Sequence, residues 1–354
     1  MKHLSNISLK DHNTLKINAS CSNFYVIENK NDLSEMIKIN LGGSRHVLGA
    51  GANVLFKSDF KGTILQIVMN KISVLKESTK HVEVEADAGV VWNDLVEWSV
   101  NNNLGGIENM TSIPGLVGAA AVGNIAAYGQ NISDVCVGLT AYEFETGRFK
   151  NFSSQECGFS YRESIFKNEL NDKYLILSVI VRFNKNPEIN SEYWSKKHGS
   201  VGDVLKDNGK PPYTLRNVVD AIIKIRRSKF PDMNEFGTAG SFFKNPLVSK
   251  GELESIRKLV PNVQYYPVEA LHYVDNLLSV DSDFVKIAAG DILDNGMGYK
   301  GKWSGNVGLY KNHALVLVTN GEATGEEVDE FAKKVSEDFY KFCSVNLERE
   351  VVTI

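Results

Sequence analysis

Hydrophobic and polar positions change period several times along this chain. Val82, Val84 and Ala86 alternate with Glu83, Glu85 and Asp87, which predicts a half-buried strand. Val91, Leu95 and Trp98 then fall at helical spacing, and that helix is expected to stop near the polar run at residues 101–106. Upstream, residues 25–28 read as a short strand, and Asn31 or Asp32 is expected to cap a helix whose Leu33, Met36 and Ile37 share one face. Residues 46–51 and 62–68 are apolar enough for buried strands. The middle, residues 135–183, is more sheet than helix, with alternating runs at 140–144 and 174–183 and a turn at Thr146-Gly147. Residues 184–213 are polar and irregular, and read as a connection or lobe. A helix is predicted over 215–227, ending on Arg226, Arg227 and Lys229. Thr324 and Glu327 form a capping-box pattern, followed by Val328, Phe331, Ala332, Val335, Phe339 and Phe342 on one helical face. The last residues, 345–354, alternate like a strand. The pattern is that of an α+β chain with an N-terminal nucleotide-type lobe, a sheet-rich middle and a separate C-terminal lobe.

Composition narrows the class. The 354 residues suffice for two or three domains, and 43% hydrophobic with 23% charged residues is ordinary for a globular protein. A net charge of -4 argues against a broad nucleic-acid face. Cys21, Cys136, Cys157 and Cys343 lie far apart without metal-type spacing, so they read as reduced structural thiols, with no metal site. The first residues, 1–14, lack an apolar run of the signal-peptide kind. The most apolar stretch, 116–127, is short and broken by glycine and Asn124, so no membrane span is expected. These features point to a cytoplasmic protein.

Two glycine loops carry the first chemical signal. Gly49-Ala50-Gly51-Ala52-Asn53 follows a predicted strand, but Val54 stands where a dinucleotide fingerprint has its third glycine. A structural turn and a pyrophosphate-cradling loop are both compatible with it. Residues 113–129 are rich in small side chains, which admit either close approach to a flat or phosphorylated ligand or a tightly packed helix. Pro114 suits a helix start whose N–H groups favour anions. Elsewhere, Arg162 offers a planar fork for a carboxylate, or a surface ion pair with Glu163 or Glu156. Glu348 and Glu350 share a strand face, usually a solvated one. Lys229 can bind an anion or cap its helix, and Tyr193 with Trp194 can form a lid or a small local core. In Gly-Ser-Phe-Phe-Lys-Asn-Pro, residues 240–246, the lone hydroxyl of Ser241 is in most proteins a satisfied strand-end group.

Taken together, LGAGANVLF at 48–56, the 113–129 loop, YRESIFK at 161–167, GSFFKNP at 240–246 and LEREV at 347–351 resemble the UDP-N-acetylenolpyruvoylglucosamine reductase family, in the family's order and over nearly the whole chain. The last two motifs are quite specific. The segment around Tyr193 is similar to the longer subtype with a substrate-capping tyrosine. The resemblance implies an FAD-binding fold of the vanillyl-alcohol-oxidase (PCMH) type over residues 15–186, in lobes of about 15–70 and 71–186. It further implies a connection at 187–230, a substrate domain at 231–343 and a C-terminal strand at 344–354. FAD would be held by Gly49, Gly51, Ala52, Asn53, Val54, Leu55, Ile113, Pro114, Gly115, Gly118, Ala119, Ala120, Ile125 and Ala126. NADPH would reduce the flavin, which would pass hydride to the β-carbon of an enolpyruvyl UDP-sugar. Arg162 and Glu350 would hold the substrate carboxylate, and Ser241 would give a proton to the α-carbon. Tyr128, Tyr161, Tyr193, Lys229 and Asn245 would bind substrate, and the enzyme would act as a monomer without nucleic acid or membrane.

The chain departs from the family pattern in places. Ala119 and Ala120 replace serines of close relatives, leaving backbone N–H groups for the cofactor. His313 stands where an amide is common, and residues 264–285 read as an extra surface excursion. Two rival readings are an oxidase of the same flavin fold and a non-catalytic flavin or nucleotide module. Neither glycine loop holds the His or Cys that tethers flavin in many such oxidases.

Overall fold

The computed structural model describes residues 1–36, 43–191, 194–195, 199–268 and 283–354. The chain divides into two compact units, each assembled from separated segments. The first comprises Met1–Ser5, Asn23–Ala50 and Gly62–Arg226, the second Asn6–Ser22, Gly51–Lys61 and Arg227–Ile354.

The first unit is built on a five-stranded antiparallel sheet, ordered Phe149–Ser153, Cys136–Glu143, Tyr174–Asn184, His81–Asp87 and Ile72–Glu77. The central strand, Tyr174–Asn184, is almost continuously apolar because both of its faces are covered. Beside it, Val82, Val84 and Ala86 turn inward while Glu85 accepts a hydrogen bond from Ser178 Oγ at 2.7 Å, so the predicted alternation is realised. The helix Trp92–Asn101 buries Trp92, whose indole N–H donates to the Met110 carbonyl at 2.9 Å. Earlier in the chain, Arg45–Val47 runs parallel to Thr63, Ile64 and Leu65, and leads into the first glycine loop. The helix near residue 30 runs Lys30–Met36 and starts one step before its expected cap. Asn29 Oδ1 accepts from the backbone N–H groups of Asn31 and Asp32, so Asn29 is the capping residue.

Residues 184–213 are less irregular than their composition implies. They include the helix Val201–Asn208, started by a reciprocal capping box between Ser200 and Asp203. The predicted helix at 215–227 extends over Leu215–Lys229.

The second unit holds a four-stranded antiparallel sheet, Gly237–Ser241, His313–Thr319, Val307–Tyr310 and Trp303–Ser304, and a three-stranded one, Leu247–Ser249, Phe284–Ile287 and Tyr265–Pro267. Most of the expected excursion at 264–285 lies outside the described residues; its ends are strands of the three-stranded sheet. The long helix Gly325–Cys343 is capped by Thr324 and Glu327 as predicted, and buries Val328, Ala332, Val335 and Phe339. The C-terminal expectation needs correction. Only Val352–Thr353 forms a regular strand, parallel to Val54–Leu55, while upstream Arg349 makes an isolated antiparallel bridge to Phe243, with the Lys244 N–H donating to the Glu348 carbonyl at 2.8 Å. Glu348 and Glu350 stand on either side of Arg349 in that bridge, Glu348 exposed and Glu350 half-buried. All four cysteines are free, and burial pushes the Cys136 and Cys157 thiols up to about 12. Among the described residues no helix is long and apolar enough to cross a membrane.

Candidate active site

Each unit carries its own share of the candidate residues. In the first, the start of the first glycine loop, Gly49, lies against the second loop at Ala119. The Leu48 N–H donates to the Leu65 carbonyl at 2.9 Å, and Gln66 Nε2 donates to the Gly49 carbonyl at 2.9 Å, fixing the first loop from behind. A Cβ added at Gly49 would lie 3.2 Å from the Ala119 Cβ, so a side chain there would press the loops apart. The second loop differs from its expected form. Its helix is the six-residue Val117–Val122, beginning three residues after Pro114 and too short for a helix-end anion site. Ile113 and Pro114 precede it, followed by a bend at Gly115, whose φ is 139°. The Gly118 N–H bonds the Ala88 carbonyl at 3.0 Å, Ala120 is buried and Ala119 is exposed. Two loops meeting through small residues leave backbone, not side chains, as the contact surface. That fits a flat, pyrophosphate-bearing cofactor.

The same loop ends in a tight hairpin. Ala127 pairs with Gln130, and the two residues between them, Tyr128 and Gly129, have φ of 48° and 81°. Positive φ at both central positions marks a type I′ turn, where Asn-Gly is the favoured pair and tyrosine is not. Arg162 occupies a comparable place. Ser160 and Glu163 exchange backbone hydrogen bonds of 3.0 and 3.1 Å around Tyr161-Arg162, and Arg162 has φ of 61°, at a position normally given to glycine. Three tethers fasten this turn to the glycine loop. Asn124 Nδ2 donates to the Ser160 carbonyl at 2.8 Å, Ser164 Oγ to the Val122 carbonyl at 2.7 Å, and Arg162 Nη2 to the Ala126 carbonyl at 3.2 Å. Lys167 Nζ donates to the Arg162 carbonyl at 3.0 Å. The first unit thus brings Arg162, Tyr161 and Ala126 together. Tyr128 is buried among Val201, Leu205, Val218 and Ile222, and its hydroxyl hydrogen-bonds Arg226. Burial lowers the Arg226 guanidinium from its ordinary value, and the tyrosine works against that shift.

In the second unit the strand Gly237–Ser241 carries a bulge. Thr238 faces Val318 and Ser241 faces Val316, so three steps on one strand match two on the other. Gly240, with φ of 71°, absorbs the distortion, and the Thr238 hydroxyl braces it by donating to the Leu317 carbonyl at 2.9 Å and accepting from the Gly240 N–H at 3.2 Å. The bulge re-aims Ser241 at half exposure. Beyond it, Phe242 and Phe243 are buried at 5.3 Å from one another. The Glu350 N–H donates to the Phe242 carbonyl at 2.9 Å, and Phe243 bridges Arg349, so Ser241 and Glu350 come to adjacent segments. Asn53 Nδ2 donates to the Glu350 carbonyl at 3.3 Å, adding the end of the first glycine motif to this group. Val54 and Leu55 are buried beneath the C-terminal strand, so they can offer a cofactor only backbone; Gly51 and Ala52 precede them. Asn245 Oδ1 accepts from the Ala289 N–H at 3.1 Å. Lys229 Nζ lies 5.7 Å from the Phe230 ring centre, and that ring stacks on His313 at 5.8 Å. Tyr193 lies outside the described residues.

Glu348 forms an ion pair with the buried Lys244 at 2.7 Å, which gives it a structural partner and no chemical one. Arg349 fixes the Glu350 segment through Asp329, at 2.5 Å to the carboxylate and 2.9 Å to the carbonyl, and Lys57 joins at 3.0 Å. Burial raises the Asp329 carboxyl, but hydrogen bonds from Arg349 and Lys57 outweigh it and leave the group below its ordinary value. Thr238, Asn124, Ser164 and Asp329 escape sequence reasoning, because each acts on a neighbour distant in the chain. Ser164, inside the 161–167 motif, and Asn124, inside the 113–129 loop, had a local signal.

The fold and its glycine loops define an FAD-binding flavoprotein, and residues 24–153 match the model of the FAD binding domain. Residues 232–354 match the model described as UDP-N-acetylenolpyruvoylglucosamine reductase, C-terminal domain. A curated UDP-N-acetylenolpyruvoylglucosamine reductase of Flavobacterium johnsoniae is 39% identical over 100% of both chains. Another from Pseudomonas aeruginosa is 36% identical, covering 97% of this chain and 96% of its own. The chain belongs to the UDP-N-acetylenolpyruvoylglucosamine reductase family. The crystal structure of the Thermus caldophilus UDP-N-acetylenolpyruvylglucosamine reductase superposes with a TM-score of 0.66, covering 99% of this chain and 98% of that one; at 19% identity it speaks for the fold alone.

Proposed function

We propose that the protein is a cytoplasmic, FAD-dependent oxidoreductase that uses NADPH to reduce the enolpyruvyl ether of UDP-N-acetylglucosamine to UDP-N-acetylmuramate, a step of peptidoglycan precursor synthesis. The observation that carries this reading is the juxtaposition in the second unit of the bulge at Ser241 with the Glu350 segment, joined by the 2.9 Å bond between Glu350 and Phe242. Residues 15–186 are assigned to the cofactor and 231–343 to the substrate, with 187–230 as the connection and 344–354 as the C-terminal segment.

FAD, when bound, would supply two-electron chemistry, accepting hydride from NADPH for delivery to the enolpyruvyl β-carbon. The chain's own residues do the rest. Gly49, Gly51, Ala52, Asn53 and the 113–126 loop present backbone to the pyrophosphate and ring, with Ala119 and Ala120 contributing no side-chain hydrogen bond. Arg162 grips the substrate carboxylate with two parallel N–H bonds, where charge builds as hydride arrives. Glu350 orients that carboxylate. Ser241 Oγ releases its proton to the α-carbon; a hydroxyl is a weak acid in water, but a carbanion is a strong enough base to take the proton downhill. Lys229 and Asn245 hold the diphosphate and nucleotide, Tyr128 and Tyr161 line the enolpyruvyl end, and Tyr193 closes over the ligand.

The test is spectroscopic. Purified protein should be yellow, bleach anaerobically on adding NADPH and regain colour on adding the enolpyruvyl substrate. Rapid recolouring by oxygen with no response to that substrate would overturn the reading in favour of an oxidase.

A further inference from the structure

The Tyr128 turn breaks a local rule, and the fold carries a device that enforces the break. A tyrosine at the first central position of a type I′ turn pays the left-handed backbone penalty that asparagine or glycine avoids. Such conformations persist only where the surroundings over-determine them. Here the surroundings are polar and buried. Asn109 has no exposed surface; its Nδ2 donates to the Tyr128 carbonyl at 2.8 Å and to the Asn190 carbonyl at 2.9 Å. Its backbone N–H donates to Gln130 Oε1 at 2.8 Å, and Gln130 Nε2 donates to Glu108 Oε1 at 2.8 Å. Glu108, also buried, accepts from the Gly106 N–H through its other oxygen at 2.6 Å. The hairpin is therefore held on both sides of its tip, at Tyr128 by Asn109 and at Gln130 by Glu108.

The amide of Asn109 has one workable orientation. Turning it over would set its oxygen against two carbonyl oxygens, so both N–H donors are committed. Its Oδ1 meanwhile is buried and finds no partner among the described residues. An interior chosen for packing alone favours an apolar side chain over an amide with an unsatisfied acceptor. What the amide provides is a double grip, on the carbonyl of Tyr128 and on that of Asn190.

We propose that Asn109 is a positioning residue for substrate: it holds the Tyr128 turn in its left-handed form and joins it to the segment at Asn190. The inference rests on the reading of Tyr128 as a substrate-binding residue. The FAD-loaded Asn109→Ala and Tyr128→Ala proteins and the double variant are titrated with the enolpyruvyl UDP-sugar, following the flavin absorbance. Flavin reduction by NADPH is timed in parallel. Asn109→Ala should weaken substrate binding about tenfold while leaving flavin reduction within about twofold. In the Tyr128→Ala background the same substitution should add nothing. Asn109→Ser, which keeps a small polar side chain, serves if Asn109→Ala does not fold. An equal penalty in both backgrounds, or a lower Tm with unchanged substrate affinity, overturns the positioning role. Unchanged affinity in Tyr128→Ala overturns instead the assignment of Tyr128, and with it the premise.

Discussion

The two units present their candidate residues in opposite ways. In the first, the candidate side chain itself occupies the left-handed backbone position: Arg162 has φ of 61° and Tyr128 has φ of 48°. In the second, a glycine takes that position next to the candidate residue: Gly240 has φ of 71° and Ser241 follows it in the strand. The first arrangement costs about 1 kcal/mol or more per residue and depends on side-chain tethers such as Ser164 and Asn124. The second relies on main-chain ladders, with Thr238 bracing the bulge. A residue that must point one planar group in a fixed direction is worth strain; a small hydroxyl placed by a bulge does not need it.

The comparison is tested most severely by removing each functional group. Ser241→Ala should slow reoxidation by the enolpyruvyl substrate about 10³-fold, with reduction by NADPH unchanged, as stopped-flow absorbance would reveal. Equal loss in both half-reactions would end the proton-donor assignment. Arg162→Lys should cost the same half-reaction about 10²-fold, because an ammonium cannot replace the fork. The strain contrast then predicts opposite signs. Gly240→Ala should destabilise by about 1 kcal/mol, since alanine must adopt a left-handed backbone, whereas Arg162→Gly should relax its turn, gaining up to about 1 kcal/mol while losing activity. Urea unfolding measures both, and a shared sign would break the contrast.

A pH series sharpens the picture of the second unit. Asp329 sits below its ordinary 3.8, so its contribution is present above that value and is lost as pH falls through its folded-state pKa. Asp329→Asn should flatten the fall of stability with pH in that acid range. The smallest effect belongs to Glu348→Gln. This exposed partner of Lys244 should change stability by less than about 1 kcal/mol and leave turnover unaltered, which separates it from Glu350 two residues on.

Much of this was legible in the sequence because it is local. The capping box of Thr324 and Glu327, the alternation at Val82–Ala86 and the order of the motifs each depend on residues a few positions apart. The helix Val201–Asn208 was hidden by its polar neighbours, although Ser200 and Asp203 already spelled its cap. Other features could not be read at all. The alternation at the C-terminus gave no hint of its partners, which are two different segments: Phe243 for Arg349, and Val54–Leu55 for Val352–Thr353. Likewise, nothing near Asn109 in the chain announces that its amide meets Tyr128 and Asn190, 19 and 81 positions away.

The interleaved make-up of the second unit bears on how the protein is made. Its pieces come from residues near the start of the chain, Asn6–Ser22 and Gly51–Lys61, and from the last third, Arg227–Ile354. A nascent chain leaving the ribosome has every segment of the first unit once Arg226 has emerged, but the early segments of the second must wait for residues beyond Arg227. Val54 and Leu55 find their strand partners only at Val352 and Thr353, far along the chain. Assembly of the second unit therefore closes long loops before its strands can pair, which slows it relative to a unit built from local contacts.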